Sequence, residues 1–172
     1  MKKINFTKFL TVIILFLFLF TCTCAAEEAQ ASFSNDWFSI KYPSYFEKEI
    51  DPQYGTITLS NSDESCVIKM EKMIEGTDPL GDEAMLKIQD AVAKNLEKDG
   101  YTFLSGDKDF FQGYPGRKMI FQGIVDENIV KMQLLIFQRD KDLFLFGFFT
   151  YKKDFDTNLV ILNDILNSVV FK

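Results

Sequence analysis

The 172-residue chain contains no histidine. Ser-His-Asp and Cys-His catalysis, imidazole metal ligation and imidazole proton transfer are therefore closed to it. Any chemistry has to come from carboxylates, hydroxyls, lysine or a thiol. Two D-x-D pairs have a spacing with chemical meaning: Asp107 and Asp109 around Lys108, and Asp140 and Asp142 around Lys141. Oxygen-rich loops of this kind can hold calcium. Neither pair sits in the twelve-residue calcium loop with its central glycine and distal glutamate, so both read as solvated hairpin tips. Two carboxylates can also hydrolyse a glycosidic bond, but nothing in the sequence pairs any two of them. There is no Gly-rich phosphate loop, nucleophile elbow or C-x-x-C motif. No catalytic, cofactor-binding or metal-binding residue is assigned, and no cofactor is expected.

The thiols lead to the N-terminus. Cys22 and Cys24 follow an apolar run, Phe9–Phe20, which is preceded by Lys2, Lys3 and Lys8 and contains no acidic residue. Twelve residues of helix rise about 18 Å, less than a membrane span usually needs and suited to the apolar region of an export signal. Three readings stay open: cleavage before Glu27 after Cys24-Ala25-Ala26, lipidation of Cys22 in Leu19-Phe20-Thr21-Cys22, or retention of 9–26 as an anchor. In each, residues 27–172 work outside the cytoplasm. Removing 1–26 takes three lysines and no acid, which turns 19 basic and 25 acidic residues into 16 and 25, a net −9. That balance excludes a nucleic-acid partner and a polybasic lipid-seeking surface. Contact with a membrane would come only through a lipid or an uncleaved anchor. Cys66 is left alone, without a disulfide partner, and opens an apolar strand as a buried structural thiol.

The elements that would position a site are legible by period. Residues 27–35 are small and polar and read as a flexible lead. Trp37–Tyr42, Thr56–Asn61 and Cys66–Ile74 alternate as half-buried strands. Met85, Ile88, Val92 and Leu96 form one helical stripe over roughly 80–99, with Gly100 as its stop. Strand signals resume at 101–104 and 110–111. Lys118–Val125, Ile129–Gln138 and Leu143–Tyr151 follow with connections so short that they force an antiparallel meander. Leu143–Tyr151 is apolar on both pleat faces, so it should be central and covered on both sides. Asp154–Thr157 caps a final helix striped by Leu159, Leu162, Leu166 and Val169, running to about Phe171. The fold class is α+β: one domain over 36–172, an antiparallel sheet of six or seven strands sandwiched by two amphipathic helices. Trp37, Tyr42, Tyr45, Tyr54 and Tyr114 lie at strand ends and loops, where rings serve either recognition or packing.

This order resembles the PsbP-like/DcrB-like superfamily. Phe38-Ser39-Ile40-Lys41-Tyr42-Pro43-Ser44 is similar to its opening strand and Thr56–Asn61 to its second. Gly113-Tyr114-Pro115-Gly116-Arg117 resembles the turn before its long hairpin, and 148–169 its last strand and helix. Phe46 stands where the opening motif often carries tryptophan. The resemblance spans 33–172 and implies a helix-sandwiched antiparallel sheet in a binding or accessory protein, with no shared catalytic residue to carry over. The expected function is that of an exported cell-envelope protein, periplasmic, extracellular or membrane-anchored on the outer side. It would act without catalysis through contact with an unidentified protein partner. The alternative is a small-molecule or calcium-binding module, or a weak carboxylate hydrolase.

Overall fold

The structure is a computed structural model that describes residues 29–52 and 55–172. The apolar leader, the cleavage and lipidation readings at Cys22 and Cys24, and Tyr54 lie outside these residues. The described chain runs β1 (Gln30–Ser34), β2 (Phe38–Pro43), β3 (Glu47–Ile50), β4 (Ile57–Ser60), β5 (Cys66–Ile74), α1 (Asp82–Lys98), β6 (Thr102–Phe111), β7 (Tyr114–Val125), β8 (Asn128–Arg139), β9 (Asp142–Tyr151), a 3-10 turn (Lys152–Asp154), α2 (Phe155–Asn167) and β10 (Val170–Phe171). Seven strands form one antiparallel sheet in the order β3-β4-β5-β9-β8-β7-β6. A smaller sheet has the order β1-β2-β10. Among the described residues, no helix is long and apolar enough to cross a membrane.

Local chemistry sets the connections. Asp126 and Glu127 both adopt positive φ, as do Gln112 and Gly113, the backbone of two-residue hairpin turns that match strand twist. These turns tie β7 to β8 and β6 to β7. The end of α1 is a Schellman motif: Gly100 N–H donates to the Glu97 carbonyl at 3.1 Å, and Tyr101 N–H to Leu96 at 3.0 Å. Gly100 sits at φ +89° there, a conformation glycine adopts without a Cβ penalty.

Each helix covers a different half of the large sheet. On one face, α2 and the small sheet bury Ile57 and Leu59 of β4, Cys66, Ile68 and Met70 of β5, and Phe144, Phe146 and Phe148 of β9. Phe137 stacks on Phe144 at 5.4 Å with an interplanar angle of 12°, and meets Phe146 edge-on. On the other face, α1 buries Met119 and Phe121 of β7 together with Leu134 and Ile136 of β8. The thiol of Cys66 is fully buried, as the sequence predicts, and burial pushes its pKa up to about 11.

Several expectations are corrected. Residues 30–34 are not a flexible lead: β1 pairs with β2 from Gln30↔Pro43 to Ser34↔Ser39, and Phe33 packs against the core. The reading missed it because only Ala31 and Phe33 alternate with polar neighbours. The final helix stops at Asn167, and Val170–Phe171 pair with β2. Asp154 stands at the head of α2 without a side-chain capping bond. Asp107 and Asp109 lie in mid-strand on β6 rather than at a hairpin tip. That edge strand is largely exposed and carries an irregularity between Phe103 and Ser105, so the alternation that marks a half-buried strand is lost. Finally, β9 is central, but only one of its faces is fully covered.

Candidate functional site: the uncovered half of the large sheet

Strand register lays out the face on which α1 sits. One row runs Glu47–Ser60–Val67–Phe149–Met132–Phe121, the next Glu49–Thr58–Lys69–Gly147–Leu134–Met119. A third joins Glu71, Leu145, Ile136 and Arg117. At the β7 end, Met119 and Phe121 are sealed from solvent. Moving outward, Leu145, Gly147, Phe149 and Val67 are half-buried, and Lys69, Glu49 and Glu47 are exposed. Antiparallel strands are about 4.8 Å apart and rise about 3.4 Å per residue. The uncovered half of this face, from β9 to β3, therefore measures roughly 14 by 14 Å. Among the described residues no element lies over it.

The surface is apolar beside α1 and polar beyond. A groove of about 500 Å³ is lined by Glu49, Asp51, Thr56, Thr58, Lys69, Glu71, Lys72 and Met73. Within it, Lys69 Nζ meets Glu71 Oε2 at 2.9 Å, and the Thr56 hydroxyl donates to the same oxygen at 3.4 Å. Lys72 sends its ammonium the other way. Its Nζ lies 4.5 Å from the Trp37 ring centroid, 3.0 Å from Glu75 and 3.7 Å from Asp142. A nearly buried cation is thus supported by an aromatic face and two carboxylates. Trp37 is held from below by Gly55, where a Cβ would lie 2.9 Å from the indole.

Three of the four D-x-D carboxylates are engaged by neighbouring groups. Asp109 pairs with Lys118 at 3.4 Å. Asp140 pairs with Arg139 at 3.7 Å, and Asp142 accepts from the Gly76 N–H besides meeting Lys72. Asp107 and Asp109 lie on β6, while Asp140 stands in the β8–β9 turn and Asp142 opens β9; among the described residues no group of three or more carboxylates and thiols is placed to hold a metal ion. Of the rings singled out by the sequence, Tyr42 is buried and Trp37 and Tyr114 pack on the core, while Tyr45 is exposed beside Phe46. The groove itself escaped notice in the sequence, because Val67, Lys69 and Glu71 read as the ordinary wet face of a strand. The usable signal was Phe149 and Leu145 opposite them, too apolar for a solvated face.

No protein-family model matches the sequence, and no curated protein matches it. Solved structures do. The chain superposes on the solution structure of cyanobacterial PsbP (CyanoP) from Synechocystis sp. PCC 6803 with a TM-score of 0.66 and 10% identity, covering 88% of this chain and 98% of that one. The Ran-binding protein Mog1p from Saccharomyces cerevisiae matches at 0.54 and 11% identity, over 84% and 96%. PA94 from Pseudomonas aeruginosa, a protein of unknown function, matches at 0.53 and 11%, over 82% and 96%. At these identities the likeness is one of fold. The chain has the fold of the PsbP-like superfamily.

Proposed function

We propose that this chain is an exported, non-catalytic accessory protein of the cell envelope, working by protein–protein contact through the uncovered half of its seven-stranded sheet. One observation carries the reading. Along a single face, side chains pass from fully buried at Met119 and Phe121 to half-buried at Phe149 and exposed at Lys69 and Glu49. A sheet face that keeps Leu145, Phe149 and Val67 within reach of water is what a contact surface needs and a stability-optimised core does not. The lysine-headed apolar leader supports export. A binding role also agrees with Mog1p, a Ran-binding protein of the same fold.

A photo-reactive phenylalanine analogue placed at Lys69 in the producing cell tests this, with the same analogue at Lys94, on the outward side of α1, as control. A discrete protein adduct from position 69 and none from 94 is expected. Absence of an adduct at 69, or identical products from both positions, would overturn the reading.

A further inference from the structure

Resting on that reading, we infer that the partner presents an amphipathic helix with a basic flank, and that it seats beside α1 over β9. Three features carry this. The first is spacing. α1 lies over β6 and β7, packing on Met119 and Phe121. Neighbouring helices pack about 8–10 Å apart, and two strand spacings of about 4.8 Å carry the next helix position from β7 to β9. The strip below that position is Leu145–Gly147–Phe149, half-buried and flanked by Val67. At its middle, Gly147 offers no side chain, and a Leu134 methyl 3.3 Å from where its Cβ would stand keeps the floor of the strip apolar.

The second feature is the flank of α1 itself. Asp82 reaches Arg117 at 2.8 Å and Lys108 at 3.8 Å, and Gln89 lies against Gly106. That side of the helix faces β6. By the 100° step of an α-helix, the opposite flank carries Ala84, Ile88, Ala91 and Asn95, with Lys98 at its C-terminal end. Ahead of Lys98 it carries no charge, which suits close helix contact. Lys87, further round the helix, is turned to Glu83 at 2.8 Å.

The third is charge. The far wall brings Glu47, Glu49, Asp51 and Glu71 against one exposed lysine, Lys69, which is committed to Glu71. Lys72 also lines the groove, but its ammonium is engaged on Trp37. A helix lying on the β9 strip therefore places one long edge along carboxylates, and basic residues on that edge complement them. The footprint of roughly 14 Å takes two to three helical turns, an area in the weak, transient class of contacts.

Two fluorescent 18-residue peptides test the inference against the protein purified as its cell processes it. Both carry the same Leu/Ala stripe, one with Lys and one with Glu on the flank, and binding is read by anisotropy. The Lys peptide should bind and the Glu peptide should not. Glu47→Lys with Glu49→Lys, both exposed and remote from the core, should weaken the Lys peptide roughly 3- to 30-fold and admit the Glu peptide. Val67→Asp should abolish binding of either, while a single cooperative melting transition, lowered by a few degrees, shows that the fold survives. Equal binding of the two peptides, or no binding of either, would overturn the helix assignment. A photo-adduct at Lys69 alongside that failure would leave the protein-contact reading standing. No adduct together with peptide preference would instead remove the reading and the inference with it.

Discussion

Phe148 and Phe149 are neighbours on β9 that point to opposite faces, and truncating each in turn measures how the sheet is covered. Phe148 is 1% exposed and its ring lies 5.6 Å from Phe155 at the head of α2. Phe148→Ala removes a fully packed ring and leaves a cavity, a change worth about 3–5 kcal/mol. Phe149 is half-buried, opposite Val67 and Met132. Its ring is only partly withdrawn from water, and solvent can fill the space left by Phe149→Ala. The cost should then be about 1–2 kcal/mol, mainly the lost transfer free energy. At roughly 3–4 °C per kcal/mol for a domain of this size, the melting point should fall by about 9–20 °C for Phe148→Ala and by about 3–8 °C for Phe149→Ala. Urea unfolding at unchanged m-value is the assay. Equal losses would mean that the face beneath Phe149 is as deeply covered as the other one, and the site would have to be abandoned.

Three further outcomes follow from the packing. Gly116→Ala would set a Cβ 2.5 Å from the Ile136 carbonyl oxygen and 2.8 Å from Phe137 Cβ. It should cost about 3 kcal/mol or more, whereas Gly113→Ala, in open space at φ +87°, should cost only about 1–2 kcal/mol; urea titrations separate the two. Gln138 is buried and fixes the 75–81 connector by accepting from Leu80 N–H at 2.6 Å and donating to Thr77 Oγ1 and the Asp78 carbonyl. Gln138→Leu leaves the Leu80 N–H without that partner, costs about 1–3 kcal/mol and should raise hydrogen exchange at Leu80; unchanged exchange there would contradict the assignment. Cys66 should resist alkylation in the native protein at pH 8 and react once unfolded. Because its pKa is raised from 9.0 to about 11 in the fold, its contribution is complete below pH 9 and lost as pH rises toward 11. Cys66→Ala should flatten that decline, and an unaltered pH profile would refute the role.

Much of this architecture was written in periodicity. The three-strand meander, the central β9 and both helices followed from spacing and from connections of a few residues. What periodicity does not carry is which elements share a sheet. Phe38–Tyr42 alternates well and is a strand, yet it joins a second small sheet with Gln30–Ser34 and the C-terminal Val170–Phe171, a pairing between the two ends of the chain. Glu47–Ile50 was invisible because all four residues are exposed and none is required to alternate. The groove was hidden for a related reason. Lys69 and Glu71 look like solvent-facing residues of any strand, and only register with Gly147 and Leu145 shows that they border an apolar strip. Of the acidic pairs that drew notice first, Asp109, Asp140 and Asp142 turned out to be partners of Lys118, Arg139 and Lys72.

The central claim is that the uncovered half of the sheet is occupied by a partner in the cell. Cys66 is buried and slow to ionise, so a cysteine introduced at Lys69 can be followed against a quiet background among the described residues. Its maleimide labelling rate in intact cells, compared with that of the purified protein and with Lys94→Cys in both settings, measures occupancy directly. The account predicts that position 69 labels several-fold more slowly in cells while position 94 is unchanged. Equal rates at position 69 in the two settings would contradict it.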